Sequence, residues 1–191
     1  VVIDHFFTFI AADTLEIGRA TSHLYRIDMT TDHELINNME GKYLTFSLAN
    51  EEFGPSILKV REIIGYMEIT LVPQTPEYAK GVINLRGSVI PVLDLRLRFS
   101  MAEIPHTERT CIIVVETTSP NDDIRLVGIV VDSVSEVINI KTEEVEPPPA
   151  FGGDVNTQFI LGMAKTEKDV KILLDIDRVV NATEVTPAHQ V

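Results

Sequence analysis

The chain has 191 residues, 45% of them hydrophobic, enough to bury a sizeable core in one domain or two small interlocked ones and too many for global disorder. Its formal charge of -13, from 16 basic and 29 acidic residues, repels phosphate backbones and anionic lipid, so no nucleic acid is expected as a partner. The most apolar N-terminal stretch, residues 1–12, is broken by Asp4 and His5 and lacks a basic leader, which argues against membrane insertion or a signal peptide and for a cytoplasmic protein.

From Tyr43 onward, short runs rich in β-branched residues alternate with Gly, Pro, Asn and Asp, the pattern of a many-stranded antiparallel protein. Strands are predicted over 43–48, 56–64, 89–93, 111–116, 126–140 and 170–174. Tight reversals are predicted at 49–52, 86–88 and 119–123. Residues 75–81 carry a capping Thr75, Pro76 at a first helical position and Gly81 where a helix would stop, so a short helix is expected there. Residues 143–153 contain three consecutive prolines, which donate no N–H, and are expected to form an extended loop. Pro55 is expected in a hairpin turn. The lone cysteine, Cys111, heads an apolar run and reads as a small buried hydrophobe in a reducing compartment.

An internal repeat of about 80 residues is the most informative feature, its period being typical of a duplicated small domain. Gly81 is followed thirteen positions later by Asp94, and Gly162 thirteen positions later by Asp175, each time across an apolar strand. Upstream, residues 57–64 find a looser echo in 130–138. Two similar barrels of about five strands follow, since closure protects edges that would otherwise aggregate, with a groove between them.

Asp94 and Asp175 resemble paired catalytic carboxylates, but an Asp directly after a strand and before an amphipathic turn is well placed to cap a short helix. The five histidines show no metal-ligand spacing, and the acidic patches at 122–123 and 143–146 lack the alternating oxygens and central glycine of a calcium loop, so neither a metal nor a cofactor is expected. No nucleophile or phosphate-loop motif appears. Glu62 and Arg86 sit among apolar neighbours, where opposite charges meeting at a seam between the barrels would satisfy one another.

The strings YLTFSLANEEFG, SILKVREIIGY, VPQTPEYAKGVINLRGSVIPVLDLRLRF, VGIVVDSVSEVI and FILGMAKTEKDVKILLDIDRVV, in this order and spacing, resemble the CheW family of chemotaxis adaptors over about 42–182. The resemblance implies an all-β fold of two intertwined five-stranded SH3-like barrels with a few short helices. It also implies a non-catalytic adaptor that couples the cytoplasmic tip of methyl-accepting chemoreceptors to the regulatory domain of the histidine kinase CheA at membrane receptor arrays. By position in the strings, receptor coupling would use Val60, Glu62, Gly81 and Arg86, and in the second barrel Ile112, Gly128, Val134 and Val137. A kinase-side contact would fall at Pro149 and Phe151, near Glu146, which stands where the family often has a basic residue.

The domain is expected to run over 39–183, with Met39 as its natural start, residues 1–38 as an extension unmatched to the family and foreign to the domain, and 184–191 as a tail. Two alternatives remain at this point: a CheW-like piece of a CheA or CheV protein, and an all-β hydrolase using Asp94 or Asp175.

Overall fold

The computed structural model describes residues 39–119, 121–149, 157–166 and 169–181. Eleven strands fall into two sheets. The five-stranded sheet has the order β3 (Val60–Gly65), β6 (Cys111–Thr118), β7 (Ile124–Val131), β5 (Ser88–Asp94), β4 (Ala79–Leu85). The six-stranded sheet has the order β8 (Ser133–Ile140), β1 (Gly41–Leu48), β2 (Glu51–Pro55), β11 (Val170–Leu174), β10 (Ile160–Lys165), β9 (Val145–Glu146). Each is an SH3-like barrel, as the resemblance implies, although the second has six strands rather than five, because the two-residue β9 adds an edge beside β10. Among the described residues two short helices, α1 (Leu95–Arg98) and α2 (Ile176–Asn181), follow β5 and β11.

The sequence repeat is a structural repeat, down to its irregularities. In β4–β5 the register slips between Ala79↔Leu93 and Gly81↔Val92, and in β10–β11 it slips at the equivalent place, between Ile160↔Leu174 and Gly162↔Leu173. β5 then runs parallel to β7, with Val92 against Gly128, as β11 runs parallel to β2, with Leu173 against Gly54. The upstream echo is borne out too: Val60 of β3 stands opposite Val115 of β6, as Val134 of β8 stands opposite Phe46 of β1.

The two copies interlock by exchanging hairpins. The β1–β2 hairpin of the first copy pairs with β8 and β11 of the second, while the β6–β7 hairpin of the second copy pairs with β3 and β5 of the first. Neither copy can therefore complete its sheet alone. Three apolar clusters follow from this. Ile83, Ile90, Val92, Ile112, Val114 and Val130 fill the five-stranded barrel. Met39, Tyr43, Ile140, Val145, Ala164 and Leu173 fill the six-stranded one. The largest cluster joins Phe46, Leu48 and Leu174 of one sheet to Ile113, Val115 and Ile129 of the other, with Leu95, Ile176 and Val179 from the helices. Along β6 every residue from Cys111 to Val115 is buried, because one face lines its own barrel and the other lines the shared core. The space expected to be a groove between the barrels is thus packed with side chains.

Some expected elements differ. Residues 75–81 form no helix: Ala79 already enters β4 opposite Leu93, and the segment closes a turn through the Ala79 N–H to the Pro76 carbonyl and the Thr75 hydroxyl to the Ala79 carbonyl. The run 56–64 begins with a 3₁₀ turn, Ile57–Lys59, before β3, and 126–140 splits at Asp132 into β7 and β8, which belong to different sheets. Pro55 lies at the end of β2 opposite Leu174, not in a turn; as the last residue of the strand its missing N–H interrupts no ladder. The acidic segment before the prolines contributes a 3₁₀ turn, Thr142–Glu144, and the short strand β9.

Candidate partner-docking surface

A sheet rolled into a barrel still has two terminal strands that must meet, and in the five-stranded sheet these are β3 and β4. The β4–β5 turn is tight: Arg86 and Gly87 adopt φ of 51° and 88°, and the Gly87 N–H donates to the Asn84 side chain at 2.9 Å. This geometry carries Arg86 across the open seam, where its guanidinium donates to Glu62 of β3 at 2.8 Å. Glu62 and Arg86 do satisfy one another, but at the seam where one barrel closes on itself rather than between two barrels. The Arg86 side chain is 80% exposed and that of Glu62 25%.

Period-two alternation explains what surrounds this latch. The inward-facing positions of β6 run Ile112, Val114, Glu116, and those of β7 run Val130, Gly128, Leu126, Ile124, so each strand leaves the apolar interior and ends at a rim. Glu116 lies opposite Leu126 and is held by the guanidinium of Arg61 on β3. The result is an open recess of about 450 Å³ at the mouth of the barrel, walled by these side chains together with Arg125. Reading the sequence singled out Glu62 and Arg86 but not Arg61, Glu116, Ile124, Arg125 or Leu126. The available signal was strand parity continued past the buried residues.

The other residues implied by the resemblance scatter. Ile112 is fully buried and Gly128 is buried with it, inside the five-stranded barrel, so both belong to the same barrel as Val60 and Glu62 and not to the second. A Cβ on Gly128 would come within 2.8 Å of Ile112 Cγ2, so this pair shapes the wall and presents nothing to a partner. Gly81 is buried at φ +136°, where a Cβ would lie 2.1 Å from the Thr70 carbonyl oxygen. Val60 and Val134 are half-buried against the shared core, and Val137 is 50% exposed on β8. Pro149 is exposed, whereas Phe151 lies outside the described residues. Glu146 is paired with Lys165.

Asp94 and Asp175 both cap helices. The Asp94 carboxylate accepts the backbone N–H of Arg96 at 2.8 Å and of Leu97 at 3.2 Å; that of Asp175 accepts the N–H of Arg178 at 3.1 Å. Asp94 is buried rather than exposed, but the recess beside it holds about 10 Å³, room for one water at most. Among the described residues no group of three or more His, Cys, Asp and Glu could hold a metal ion, and no helix is long and apolar enough to cross a membrane. Cys111 is buried, and burial pushes its thiol above the usual range.

The CheW-like domain model matches residues 42–184. The chain is 39% identical over 144 residues to the chemotaxis protein CheW of Klebsiella aerogenes, covering 75% of this chain and 84% of that one. It is 33% identical over 149 residues to a probable chemotaxis protein CheW of Rhizobium etli, covering 78% and 93%. The scaffolding protein TtCheW of Thermoanaerobacter tengcongensis superposes with a TM-score of 0.65 at 38% identity, over 74% of this chain and 92% of that one. With its exchanged hairpins and capped repeats, the chain belongs to the CheW-like domain family and is a chemotaxis adaptor of the CheW type.

Proposed function

We propose that the chain is a non-catalytic cytoplasmic scaffold that couples methyl-accepting chemoreceptors to the regulatory domain of the histidine kinase CheA, and is recruited through them to membrane receptor arrays. The observation that carries this reading is the Arg86–Glu62 latch. The two charged residues assigned to receptor coupling by resemblance meet at one barrel mouth, and the exposed Arg86 lies beside an open recess. Family membership supplies the context, and the helix-capping bonds of Asp94 and Asp175 support a structural role for the two carboxylates that a hydrolase would use.

Val137 on β8 and Pro149 after β9 would serve as separate contacts, Val137 towards the receptor and Pro149, with Phe151, towards the kinase. Apolar side chains that bury one stripe of a receptor helix suit such a surface. Reconstitution tests the reading: receptor-bearing membranes and CheA are mixed with and without the chain, and kinase autophosphorylation is followed. Stimulation that requires the chain is expected. Kinase activity indifferent to it would overturn the proposal.

A further inference from the structure

The face that β8 shows to solvent is set by one irregularity. β8 pairs with β1 through Val134↔Phe46 and Val137↔Leu44, so Ser135 and Glu136 together stand opposite the single residue Thr45. Such a bulge shifts the strand's alternation by one residue. Val134, Ile138 and Ile140 have the same parity, yet Val134 packs on the core shared by the two sheets while Ile138 and Ile140 pack inside the six-stranded barrel. Val137 is the first residue past the bulge and, half-exposed, belongs to neither core. The ladder is interrupted at this point, and the Thr45 hydroxyl bridges the break: Oγ1 accepts the Glu136 N–H at 3.2 Å and donates to the Glu136 carbonyl at 3.0 Å. Thr45 is fully buried, and the two bonds use its only proton and one of its lone pairs. Ser135 is tied separately, its hydroxyl donating to Glu52 of β2 at 2.8 Å.

The first copy has the same bulge with different chemistry. β3 pairs with β6 through Val60↔Val115 and Glu62↔Val114, which leaves Arg61 as the extra residue; Val60 again packs on the shared core and Ile64 inside its own barrel. Val114 thus stands where the second copy has Thr45, and Glu62 where it has Glu136. In the first copy the bulge is held by side chains, Arg86 on Glu62 and Arg61 on Glu116. By the spacing that relates Gly81 to Gly162, Arg86 corresponds to Glu167, which has the same charge as Glu136 and offers it no ion pair. A buried hydroxyl therefore does in the second copy what an exposed ion pair does in the first. A valine at position 45 would fill the same volume and leave both backbone groups of Glu136 without this partner. We infer that Thr45 is a positioning residue for receptor coupling, its hydroxyl fixing the bulge of β8 in the form that presents Val137. This rests on the coupling function proposed above, in which Val137 faces the receptor, and adds to it a residue that never touches the partner.

The test compares side chains that differ in the hydroxyl. The full chain is titrated by calorimetry with a soluble cytoplasmic fragment of a chemoreceptor, and in parallel with the CheA regulatory domain, unsubstituted and as Thr45→Val, Thr45→Ser, Val137→Ala and Thr45→Val combined with Val137→Ala. Thr45→Val is expected to weaken receptor affinity about fivefold with kinase-domain affinity kept. Thr45→Ser, which keeps the hydroxyl, should bind the receptor fragment within about twofold of the unsubstituted chain. In the Val137→Ala background Thr45→Val should add no further loss, because the hydroxyl acts through Val137. Without any partner, exchange of the Glu136 amide proton should quicken in Thr45→Val and not in Thr45→Ser. Receptor affinity of Thr45→Val within about twofold of the unsubstituted chain would overturn the inference while leaving the coupling function standing. So would equal losses in Thr45→Val and Thr45→Ser, equal losses towards both partners, a full further loss in the Val137→Ala background, or a Thr45→Val chain that does not fold. A correctly folded, unsubstituted chain that fails to bind the receptor fragment would overturn both.

Discussion

The guanidinium of Arg96 on α1 donates to both carboxylate oxygens of Asp132, Nε to Oδ1 at 2.7 Å and Nη2 to Oδ2 at 2.6 Å, and so ties the first copy of the repeat to the β7–β8 junction of the second. The same Oδ2 accepts the backbone N–H of Ala49, in the β1–β2 turn, at 2.8 Å. The other half of the molecule repeats the clamp with its charges reversed. Asp177 on α2 meets Lys59, just ahead of β3, at 2.7 Å and accepts the N–H of Thr118, at the end of β6, at 2.7 Å. In each clamp a carboxylate gathers one cation and one backbone N–H, the latter from an exchanged hairpin, but the helix supplies the cation in one and the anion in the other. Pairing a copy with another of its own kind would set Arg96 against Lys59, or Asp177 against Asp132. The reversed polarity therefore favours the pairing of unlike copies.

The two clamps differ in burial, and their energies should differ accordingly. Arg96 and Asp132 are 12% and 22% exposed, Lys59 and Asp177 34% and 31%. Asp132→Ala leaves Arg96 without its bidentate partner and should cost more than the ~1 kcal/mol of a surface pair, approaching the ~3–5 kcal/mol of a buried one; Lys59→Ala should stay near ~1 kcal/mol. Urea unfolding of the two variants measures this, and a double-mutant cycle on Arg96 and Asp132 isolates their coupling. Equal losses would show that burial does not separate the clamps.

Acid should loosen the same clamp. Burial alone would raise the Asp132 carboxyl, but the hydrogen bonds from Arg96 and from the Ala49 N–H, with the Arg96 charge, hold it below its ordinary value. Glu52 is likewise lowered, chiefly by its bond to the buried Lys171. A carboxyl whose pKa is depressed in the folded state stabilises the fold above its unfolded value, about 4, and that contribution is lost as the pH falls through the folded value. Melting temperature should thus hold from pH 7 to 5 and fall below about 4, more shallowly in Asp132→Asn than in the unsubstituted chain.

Gly81 and Gly162 occupy equivalent bulges, yet substitution should separate them. At Gly81 a Cβ meets backbone, the Thr70 carbonyl oxygen at 2.1 Å, with φ at +136°; at Gly162, whose φ is not left-handed, it meets first a side chain, the Cγ1 of Val145 at 2.6 Å, and backbone only at 3.1 Å. Gly81→Ala should cost well over ~1 kcal/mol and lower the melting temperature more than Gly162→Ala. A loss of receptor coupling in Gly81→Ala would then trace to the fold. A normal melting temperature with coupling lost would instead place Gly81 in the contact itself.

For Glu62 and Arg86 the balance reverses. With Arg86 mostly exposed, their ion pair should contribute ~0–1 kcal/mol to stability. Arg86→Ala and Glu62→Ala should weaken receptor binding far more than they lower the melting temperature, measured on the same preparations. Parallel losses would make the latch a structural feature only.

How much of this was legible depends on range. Gly81 and Gly162, Asp94 and Asp175 were readable as a repeat because a bulge and a helix cap are set within a few residues. The exchange of hairpins was not, since nothing local says whether β6–β7 pairs with β3 or with β8. For that reason Ile112 and Gly128 were assigned to the wrong barrel. Thr75 and Pro76 announced a helix by local chemistry, and the pairing of Ala79 with Leu93 overrode it. Of the site, Glu62 and Arg86 stood out as charges among apolar neighbours. Ile124 and Leu126 did not, because an apolar residue on a strand reads as core until the barrel's length is known.

Calorimetric titration of the chain against the CheA regulatory domain and a chemoreceptor cytoplasmic fragment, each alone and then one in the presence of the other, tests the coupling function most directly. Binding to both, with neither displacing the other, is the predicted result. Competition between them for the folded chain, or binding to neither, would contradict it.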